Sequence, residues 1–386
     1  MSIFNSLGSN YNLSYVLKSF FSTGKGGSSG LKNFLEEKYE GQAILTYKGR
    51  EALTLALQIL NFPKDSEIAI NGFTCVAVYN AIETAGYKPV CIDLDKKNSD
   101  LNFSTEYLEK AINTSKHLKA VVVQNTLGTP AEIEKIERIC KEKNIVLIED
   151  LAHCIGTKYT NGTEAGLVGD FVVLSFSQDK VIDAVSGGAL IIRNKKLQNH
   201  NDKLTFKTPK NQLRDRLYSA LTYKIRKFYD IGLGKPLHFF LKKLNLLSQP
   251  MQEDLYGYFS LPDWYANLAL IEFKNLDKQL EHRRQIAKIY AENVDKKVIE
   301  KNITDKILLS SNLRFSIFID NRKSLIKFLK NSKIFVSDIW YTDVAPDCPN
   351  AVETSKRILN LPTHINISEG DALRIAKEVN KWLALQ

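Results

Sequence analysis

Four side chains in the middle of the chain are of types that carry covalent and proton-transfer chemistry. Asp150 ends an apolar run and His153 follows it closely, while Lys180 lies in a later polar stretch shortly after Ser175. A lysine amine can bond covalently to a carbonyl carbon, and a carboxylate or an imidazole can hold or move a proton. Each of these types alone is common at structural or surface positions. They therefore indicate a site only if the fold brings them together.

The sequence around these residues alternates β-rich runs with helical patterns. The predicted strands are Glu67–Asn71, Pro89–Asp93, Ala120–Gln124, Ile145–Asp150, Phe171–Phe176 and Ala189–Arg193. The predicted helices are Arg50–Leu60, Cys75–Ala85, Thr105–Ile112 and Ala131–Lys143. This alternation predicts an α/β fold with a mostly parallel central sheet and helices on both faces. Because such sheets bind ligands beyond the carboxyl ends of their strands, Asp150 is expected at the ligand-binding edge.

Changes in composition suggest a division of the chain into three parts. We predict an N-terminal arm over residues 1–40, a large domain over residues 41–250 and a smaller C-terminal α+β domain over residues 251–386. The large domain includes a basic, partly helical excursion over residues 203–250.

Local patterns refine this division at both ends of the chain. The glycine-rich stretch Gly24–Gly30 lacks the spacing of a phosphate-binding loop, and its composition favours a flexible connector over a lid. In the C-terminal domain a helical stretch is predicted over Pro262–Tyr290, and a closing amphipathic helix over Glu369–Leu385. Strands are predicted there over Leu313–Ile319 and Ile334–Ser337.

A series of motifs runs through most of the chain in a fixed order. The central ones are Glu149-Asp150-Leu151-Ala152-His153 with Gly156, Gly169-Asp170, Ser175-Phe176 with Lys180, and Gly187-Gly188-Ala189. Flanking runs are GYKPVCIDLD, LGTPAEI, LEHRRQIAKIY and ILNLPTH. Together these motifs closely resemble those of the DegT/StrS family of sugar-nucleotide aminotransferases. Residues 1–41 and 203–252 match the family least.

The resemblance implies a fold-type I aminotransferase whose cofactor is pyridoxal 5′-phosphate (PLP). It makes Lys180 the catalytic residue, which holds the PLP aldehyde as a Schiff base and shuttles a proton once released. It places Asp150 beside the ring nitrogen, where a carboxylate keeps that nitrogen protonated. His153 is implied to lie against the ring near its phenolic oxygen, and Ser175 to donate to the cofactor phosphate.

Four further cofactor contacts follow from the resemblance, three of them with departures from its usual pattern. Gly49 precedes a predicted helix whose N-terminus would attract the phosphate. Arg50 replaces the usual threonine, and it either supplies a charged donor or lies on the surface of the first helical turn. Cys75 replaces an aromatic residue that often stacks on the ring, with Phe73 nearby. Tyr258 stands where many relatives carry an asparagine that reaches across the dimer to the phosphate.

The implied reaction moves an amino group from an amino acid, glutamate being the expected donor, to a keto-sugar carried on a nucleotide. Such a reaction serves surface-glycan or related sugar biosynthesis, and the resemblance implies a homodimer. One alternative is a PLP-dependent sugar dehydratase of the same family, in which histidine replaces the lysine, so Lys180 argues against it. The other is a non-catalytic basic binding protein on the same fold, which would need neither Lys180 nor Asp150.

Almost all of the net charge of +10 comes from one segment of the chain. Residues 203–243 carry eleven Lys or Arg against Asp215 and Asp230, and the second half interleaves lysines with Leu and Phe. One interpretation is a solvated helical excursion. The others are attraction of an anionic nucleotide-sugar and weak peripheral docking on an anionic membrane. A nucleic-acid partner is not expected, because the segment contains no nucleic-acid-binding motif.

The remaining composition favours a cytoplasmic protein without a metal. The first thirty residues show no signal-peptide pattern, and no run approaches the roughly 18 apolar residues of a membrane span. The five cysteines are widely spaced and include no C-x-x-C pair, which favours neither disulfides nor a zinc site. The histidines form no metal-binding pattern either. We expect a cytoplasmic location, membrane-peripheral if the basic segment docks.

Overall fold

A computed structural model describes residues 1–22, 25–95, 100–198, 208, 212–249, 258–337 and 344–386. The strands are β1 (Ile3–Phe4), β2 (Gln42–Thr46), β3 (Glu67–Asn71), β4 (Lys88–Ile92), β5 (Leu118–Val123), β6 (Val146–Asp150), β7 (Phe171–Ser175), β8 (Gly188–Ile192), β9 (Arg314–Phe318), β10 (Ile334–Phe335) and β11 (Ile358–Pro362). The helices are α1 (Leu13–Phe21), α2 (Gly27–Tyr39), α3 (Gly49–Leu60), α4 (Val76–Thr84), α5 (Thr105–Thr114), α6 (Ile133–Lys143), α7 (Gln212–Tyr229), α8 (Gly234–Lys243), α9 (Asp263–Lys274), α10 (Leu276–Asn293), α11 (Lys301–Asp305), α12 (Arg322–Asn331), α13 (Pro349–Arg357) and α14 (Glu369–Leu383).

A seven-stranded sheet has the spatial order β2-β8-β7-β6-β5-β3-β4. The five strands from β7 to β4 in this order are parallel, and β8 is antiparallel to both β7 and β2. The six strands predicted for this region correspond to β3–β8, and the prediction of an α/β fold with a mostly parallel sheet is confirmed. The edge strand β2 was not predicted.

Both faces of this sheet are covered by apolar cores. Along β5, Val121 and Val123 join one core, while Ala120 and Val122 join the other. Successive side chains of a strand point to opposite faces, so a strand buried on both sides needs apolar residues at every position. This explains the unbroken Val-rich runs, and it leaves polar residues to the strand ends.

The C-terminal part is built on a second, smaller sheet, in which β9 and β11 pair antiparallel. Helix α10 contacts β9, and α14 packs against both α10 and α12. The predicted strands of this part are found as β9 and β10, and the closing helix as α14. Strand β1 pairs in parallel with β10, so the first residues of the chain contact this part. The domain boundaries at residues 40 and 250 remain a prediction.

The helix predicted over Pro262–Tyr290 is two helices, α9 and α10, which meet at Asn275. The Asn275 backbone leaves the helical region, with φ −103° and ψ 5°. Its side-chain amide donates to the Ile271 carbonyl at 2.8 Å. An asparagine that bonds a nearby backbone group in this way competes with helix continuation. The apolar periodicity carries on across the break, so it does not reveal the change of direction.

The prediction of a flexible connector over Gly24–Gly30 is wrong for Gly27–Gly30, which forms the first turn of α2. A Cβ atom on Gly27 would overlap the carbonyl oxygen of Asp263 at the start of α9. The Asp263 carboxylate also accepts from the Ser28 backbone N–H at 2.8 Å. The glycine here allows two helices to approach closely rather than making the chain flexible. Gly24 itself lies outside the described residues.

The described part of the basic segment is helical, as predicted, and forms α7 and α8 around a turn at Gly232 with φ +82°. Residues 203–207, 209–211 and 250 of the predicted excursion lie outside the described residues. In the part of the chain that the structure describes, no helix has the length and apolar character needed to span a membrane.

Candidate active site

A cavity of about 400 Å³ lies at the carboxyl-terminal edge of the central sheet. It is formed by the loops that follow β3, β5, β6 and β7 and by the first turn of α3. Seven of the eight site residues predicted from the sequence line it: Gly49, Arg50, Cys75, Asp150, His153, Ser175 and Lys180. Tyr258 does not line it. The strand ends therefore bring the dispersed motifs to one place, as the parallel sheet requires.

Asp150 and Glu149, the last residues of β6, are both buried but face different surroundings. Asp150 lines the cavity, and its Oδ1 accepts from the Ala152 backbone N–H at 2.9 Å. Burial raises the pKa of Asp150, while the Ala152 N–H and the Lys180 charge partly oppose this rise. A carboxylate in this position is available to a cationic or proton-donating group of a ligand.

Glu149 has every carboxylate lone pair directed at a donor outside the cavity. One oxygen accepts from the Tyr159 hydroxyl at 2.7 Å and the Gly166 N–H at 2.8 Å. The other accepts from the Val168 N–H at 2.9 Å and the Gly169 N–H at 2.6 Å. Glu149 thus orders the loop between β6 and β7, a structural role that the sequence motif alone did not reveal.

His153 is buried in the cavity wall, in surroundings that favour the neutral imidazole. The Leu127 backbone N–H points at its Nδ1 at 3.5 Å, which makes Nδ1 the acceptor and leaves the proton on Nε2. Burial, with the nearby charges of Lys180 and Arg314, holds the pKa of His153 well below its usual range. In this tautomer the imidazole can donate a hydrogen bond only through Nε2.

Lys180 lies on the loop between β7 and β8, next to two residues with unusual backbone angles. Asp179 and the β-branched Val185 have φ values of +64° and +69°, a region that side chains of L-residues rarely adopt. Both of their N–H groups donate to the carboxylate of the buried Asp183, at 2.8 Å and 3.0 Å. Asp183 thus holds the strained loop in place from within.

The N-terminal segment of the chain supplies the remaining partners of this loop. The Tyr11 hydroxyl and the Asn10 amide donate to the Asp183 carboxylate at 2.7 Å and 2.9 Å. The Asn10 amide also donates to the Lys180 carbonyl at 3.2 Å, and the Tyr15 hydroxyl to the Asp183 carbonyl at 2.8 Å. No sequence signal links residues 10–15 to Lys180, because the contact joins segments far apart in the chain.

The environment of the Lys180 amine favours its neutral form. Burial lowers the pKa of Lys180, and the neighbouring Cys75 and Asp150 oppose this only in part. Arg314 adds to the lowering through charge repulsion. A neutral amine can attack a carbonyl carbon and accept a proton, which a lysine at its ordinary pKa does poorly near neutral pH.

The first turn of α3 lies tightly against the ends of β7 and β8. A Cβ atom on Gly49 would come within 2.8 Å of the Ser175 Cβ, and one on Gly188 within 2.6 Å of the Gly49 nitrogen. Only glycine fits either position. The Ser175 hydroxyl is thereby brought beside the free N–H groups of a helix N-terminus, a combination that favours an anion. Arg50 in the same turn is half-buried and faces the cavity rather than bulk solvent.

Three further predicted or neighbouring residues have different positions relative to the cavity. Cys75 and Phe73 both line it, Cys75 as the N-cap of α4. The Tyr258 hydroxyl donates to Gln58 on α3. Burial and the nearby Glu51 raise the pKa of this phenol to about 12. A contact of Tyr258 with a second subunit remains a prediction.

A polar pair in the cavity lining was not predicted from the sequence. The Thr74 hydroxyl donates to the Gln124 side-chain oxygen at 2.5 Å, and both residues line the cavity. Gln124 directly follows the apolar run of β5, just as Asp150 ends that of β6. A polar residue at the end of an apolar strand was therefore a signal that could have identified it.

Comparison with known proteins decides which enzyme class this cavity serves. Residues 28–380 match the model of the DegT/DnrJ/EryC1/StrS aminotransferase family. The chain belongs to this family. Members are aminotransferases that use PLP, so the resemblance, the enzyme class and the cofactor inferred from the sequence are confirmed.

Relatives and solved structures match the aminotransferase over nearly its whole length. It is 24% identical over 361 residues to GDP-perosamine synthase of Escherichia coli O157:H7, across 90% of this chain and 88% of that protein. Its fold is similar to that of Helicobacter pylori PseC, an aminotransferase involved in pseudoaminic acid biosynthesis (TM-score 0.74, 19% identity, 100% of both chains). A DegT/DnrJ/EryC1/StrS aminotransferase from Brucella abortus gives a TM-score of 0.71 at 20% identity, over 96% of this chain and 95% of that one.

The residues of the cavity fit the chemistry of PLP. The cofactor phosphate needs an anion site, which the α3 N-terminus, the Ser175 hydroxyl and Arg50 provide. The ring nitrogen would need a buried carboxylate, as Asp150 is, and the aldehyde would need an amine of lowered pKa, as Lys180 is. Among the described residues, no group of three or more His, Cys, Asp or Glu side chains is placed to hold a metal ion.

Proposed function

We propose that this aminotransferase moves an amino group from an amino acid, glutamate being the expected donor, to a keto-sugar carried on a nucleotide. Lys180 is the residue to which PLP is bonded. The observation that carries the proposal is the convergence of Lys180, Asp150 and His153 on one cavity beside an anion-binding helix end. The similarity to GDP-perosamine synthase supports a nucleotide-linked sugar as the amino acceptor.

Lys180 acts first as a nucleophile and then as a proton carrier. PLP supplies an aldehyde that carries the amino group between the two substrates and a ring that takes up electrons from the bond that breaks. Burial lowers the pKa of Lys180 and so increases the fraction of its Nζ that is unprotonated, the form that would bond to the PLP aldehyde and would accept a proton from the substrate carbon. The strained loop held by Asp183 fixes where that amine can reach.

Asp150 and His153 would act on different atoms of the cofactor ring, Asp150 on the nitrogen and His153 on the oxygen. The Asp150 carboxylate holds a proton at the ring nitrogen through charge pairing in a buried setting. His153, whose pKa burial keeps low, would donate through Nε2 to the ring oxygen without adding a charge that competes with Lys180. Gly49, Arg50 and Ser175 would hold the phosphate.

The protein is further proposed to work as a homodimer in the cytoplasm. The resemblance that implies shared sites supports the dimer. The position of Tyr258 outside the cavity of its own chain is consistent with a contact to a partner. All five cysteines are free thiols, which agrees with a reducing compartment.

Absorbance and product analysis test the proposed reaction. The purified enzyme with PLP should show a visible absorbance that glutamate bleaches. Subsequent addition of a nucleotide-linked keto-sugar should restore this absorbance and yield an amino-sugar detected by mass spectrometry. A panel that varies the nucleotide and the ring position of the ketone identifies the substrate.

Other outcomes distinguish the alternatives. A sugar product that has lost water without gaining nitrogen would indicate a dehydratase. Absence of a PLP absorbance after reconstitution would indicate a binding protein without catalysis. Bleaching by another amino acid but not by glutamate would replace the proposed donor while leaving the enzyme class unchanged.

A further inference from the structure

Helices α1, α7 and α8 form a layer in which α7 contacts both of the others. Arg226 of α7 donates to the carbonyl of Tyr11, just before α1, at 2.5 Å, whereas the hydroxyls of Ser19 and Ser219 lie 3.3 Å apart. Helix α1 therefore runs antiparallel to α7. Helix α8 folds back through the turn at Gly232 until Asn245 accepts from Arg214 at 3.2 Å. The last turns of α1 and α8 consequently lie toward the same end of α7.

The outer face of α1 is apolar, although it faces solvent. Leu13, Leu17, Phe20 and Phe21 follow the spacing of one helical stripe, and Phe21 is 78% exposed. The opposite face buries Tyr15, Val16 and Ser19. A surface helix normally shows polar residues to solvent, so this arrangement marks a surface that has no cover within the described chain.

Apolar side chains of α7 and α8 extend this exposure at the same end of the layer. Leu213, at the start of α7, is 71% exposed, and Phe239, Phe240 and Leu244 are 63%, 59% and 64% exposed. We call these residues, together with the α1 stripe, the apolar tip. Four of its residues are exposed phenylalanines: Phe20, Phe21, Phe239 and Phe240.

The same three helices carry a strong positive charge. They contain nine Lys or Arg residues: Lys18, Arg214, Arg216, Lys224, Arg226, Lys227, Lys235, Lys242 and Lys243. Their one acidic residue, Asp215, is buried and accepts from the Tyr265 hydroxyl at 2.9 Å. Lys18, Lys242 and Lys243 are exposed close to the apolar tip.

We propose that this layer docks the enzyme on the surface of an anionic phospholipid membrane. The apolar tip would enter the boundary between headgroups and acyl chains, while the lysines contact the anionic headgroups. The charge argues against a second copy of the chain as the occupant. A two-fold interface places the same patch on both subunits, so the lysines would face one another. Contact is peripheral, because none of the helices in the described part of the chain can span a bilayer.

Vesicle flotation of the full chain with bound PLP tests the proposal. The enzyme is expected to float with vesicles of equal parts phosphatidylglycerol and phosphatidylcholine at low salt. It should not float with phosphatidylcholine alone, and high salt should weaken the binding. Changing Lys18, Lys242 and Lys243 together to Glu should reduce partitioning at least about tenfold. A separate variant, Phe20→Ser with Phe21→Ser, removes apolar burial without changing the charge and should also weaken binding.

A matched control changes Lys110, Lys116 and Lys278 to Glu, which are exposed lysines outside this layer. The control has the same net charge as the first variant and should float like the wild-type enzyme. Turnover without vesicles should be unchanged in all three variants, since none of these residues lines the active-site cavity. Equal loss in the control, or no preference for anionic vesicles, would overturn the proposal. So would dissociation of the variants into smaller species on sedimentation, which would make the tip a subunit interface.

Discussion

Two neighbouring carboxylates at the end of β6 are expected to respond differently to substitution, because they face different surroundings. Asp150 lines the active-site cavity, whereas Glu149 accepts four hydrogen bonds from the loop between β6 and β7. In the sequence motif the two residues are adjacent, and nothing there distinguishes their roles. The structure separates the two roles, and a pair of substitutions can test the separation.

Asp150→Asn keeps the shape of the side chain but removes its charge. We expect turnover to fall by about 10²–10⁴-fold, because the ring nitrogen loses the group that holds its proton. PLP should still bind, since Lys180 and the phosphate contacts are intact. Single-turnover rates with glutamate and the cofactor absorbance measure both effects. Retention of most of the activity would show that another group protonates the ring.

Glu149→Gln should lower stability and leave the chemistry much less affected. In the variant an NH₂ group replaces one of the two carboxylate oxygens. It cannot accept a hydrogen bond, so at least one buried donor loses its acceptor. The expected cost is about 2–3 kcal/mol in the free energy of unfolding. Denaturant titration measures it, with Asp150→Asn as the reference. A variant as stable as the wild-type enzyme would mean that the loop is held by other contacts.

Lys180→Ala should abolish the visible absorbance of the bonded cofactor and reduce turnover by several orders of magnitude. Both losses follow because one side chain provides the nucleophile and the proton carrier. Lys278→Ala, an exposed substitution on α10, serves as the control and should leave both readouts unchanged. Near-normal transamination by the Lys180 variant would assign the cofactor bond to a different residue.

At the scale of elements, the N-terminal segment determines how firmly the Lys180 loop is held. The Tyr11 hydroxyl and the Asn10 amide complete the shell of donors around Asp183, whose carboxylate also accepts from the strained backbone of the loop. Backbone strain of this kind persists only where the surroundings over-determine it. The first residues of the chain are thus part of the support of the active site.

Tyr11→Phe is expected to lower kcat about tenfold with little change in the KM for the amino donor, since misplacement of the amine affects the chemical step more than binding. Tyr290→Phe is a matched control. That tyrosine is equally buried, but its hydroxyl donates to Pro362 in the C-terminal part, at 2.9 Å. Both variants should lose comparable stability on thermal unfolding. Equal losses of kcat in both variants would show that Tyr11 contributes to stability only and does not position Lys180.

At the scale of the whole molecule, we expect a homodimer in which Tyr258 of one subunit serves the site of its partner. Sedimentation should give twice the mass of the chain. Tyr258→Phe and Lys180→Ala should each impair activity, and mixing the two variants under conditions of subunit exchange should restore part of it. Restoration arises because one site of each mixed dimer has both residues intact. A fully active monomer, or mixtures no more active than their components, would contradict shared sites.

The sequence by itself determined most of the central sheet and seven of the residues that line the cavity. Strands β3 and β5–β8 lie inside the sheet, buried on both faces, and therefore carry apolar runs that can be recognised without knowledge of their neighbours. Because parallel strands end at one edge, the polar residues that terminate them, such as Asp150, could be placed together in advance. The family motifs then supplied an expected role for each.

Only the tertiary structure decided features that depend on contacts between distant segments. Gly27 reads as flexible in isolation, yet it begins α2 at a point where α9 leaves no room for a side chain. Tyr11 and Asn10 reach Asp183 across more than 170 positions of the chain. The stripe of Leu13, Leu17, Phe20 and Phe21 looks like a core-facing helix face, and only the packing of α1 on α7 shows that it points outward. Local sequence patterns show the periodicity of a helix or strand. Which of its faces is buried depends on the elements that pack against it.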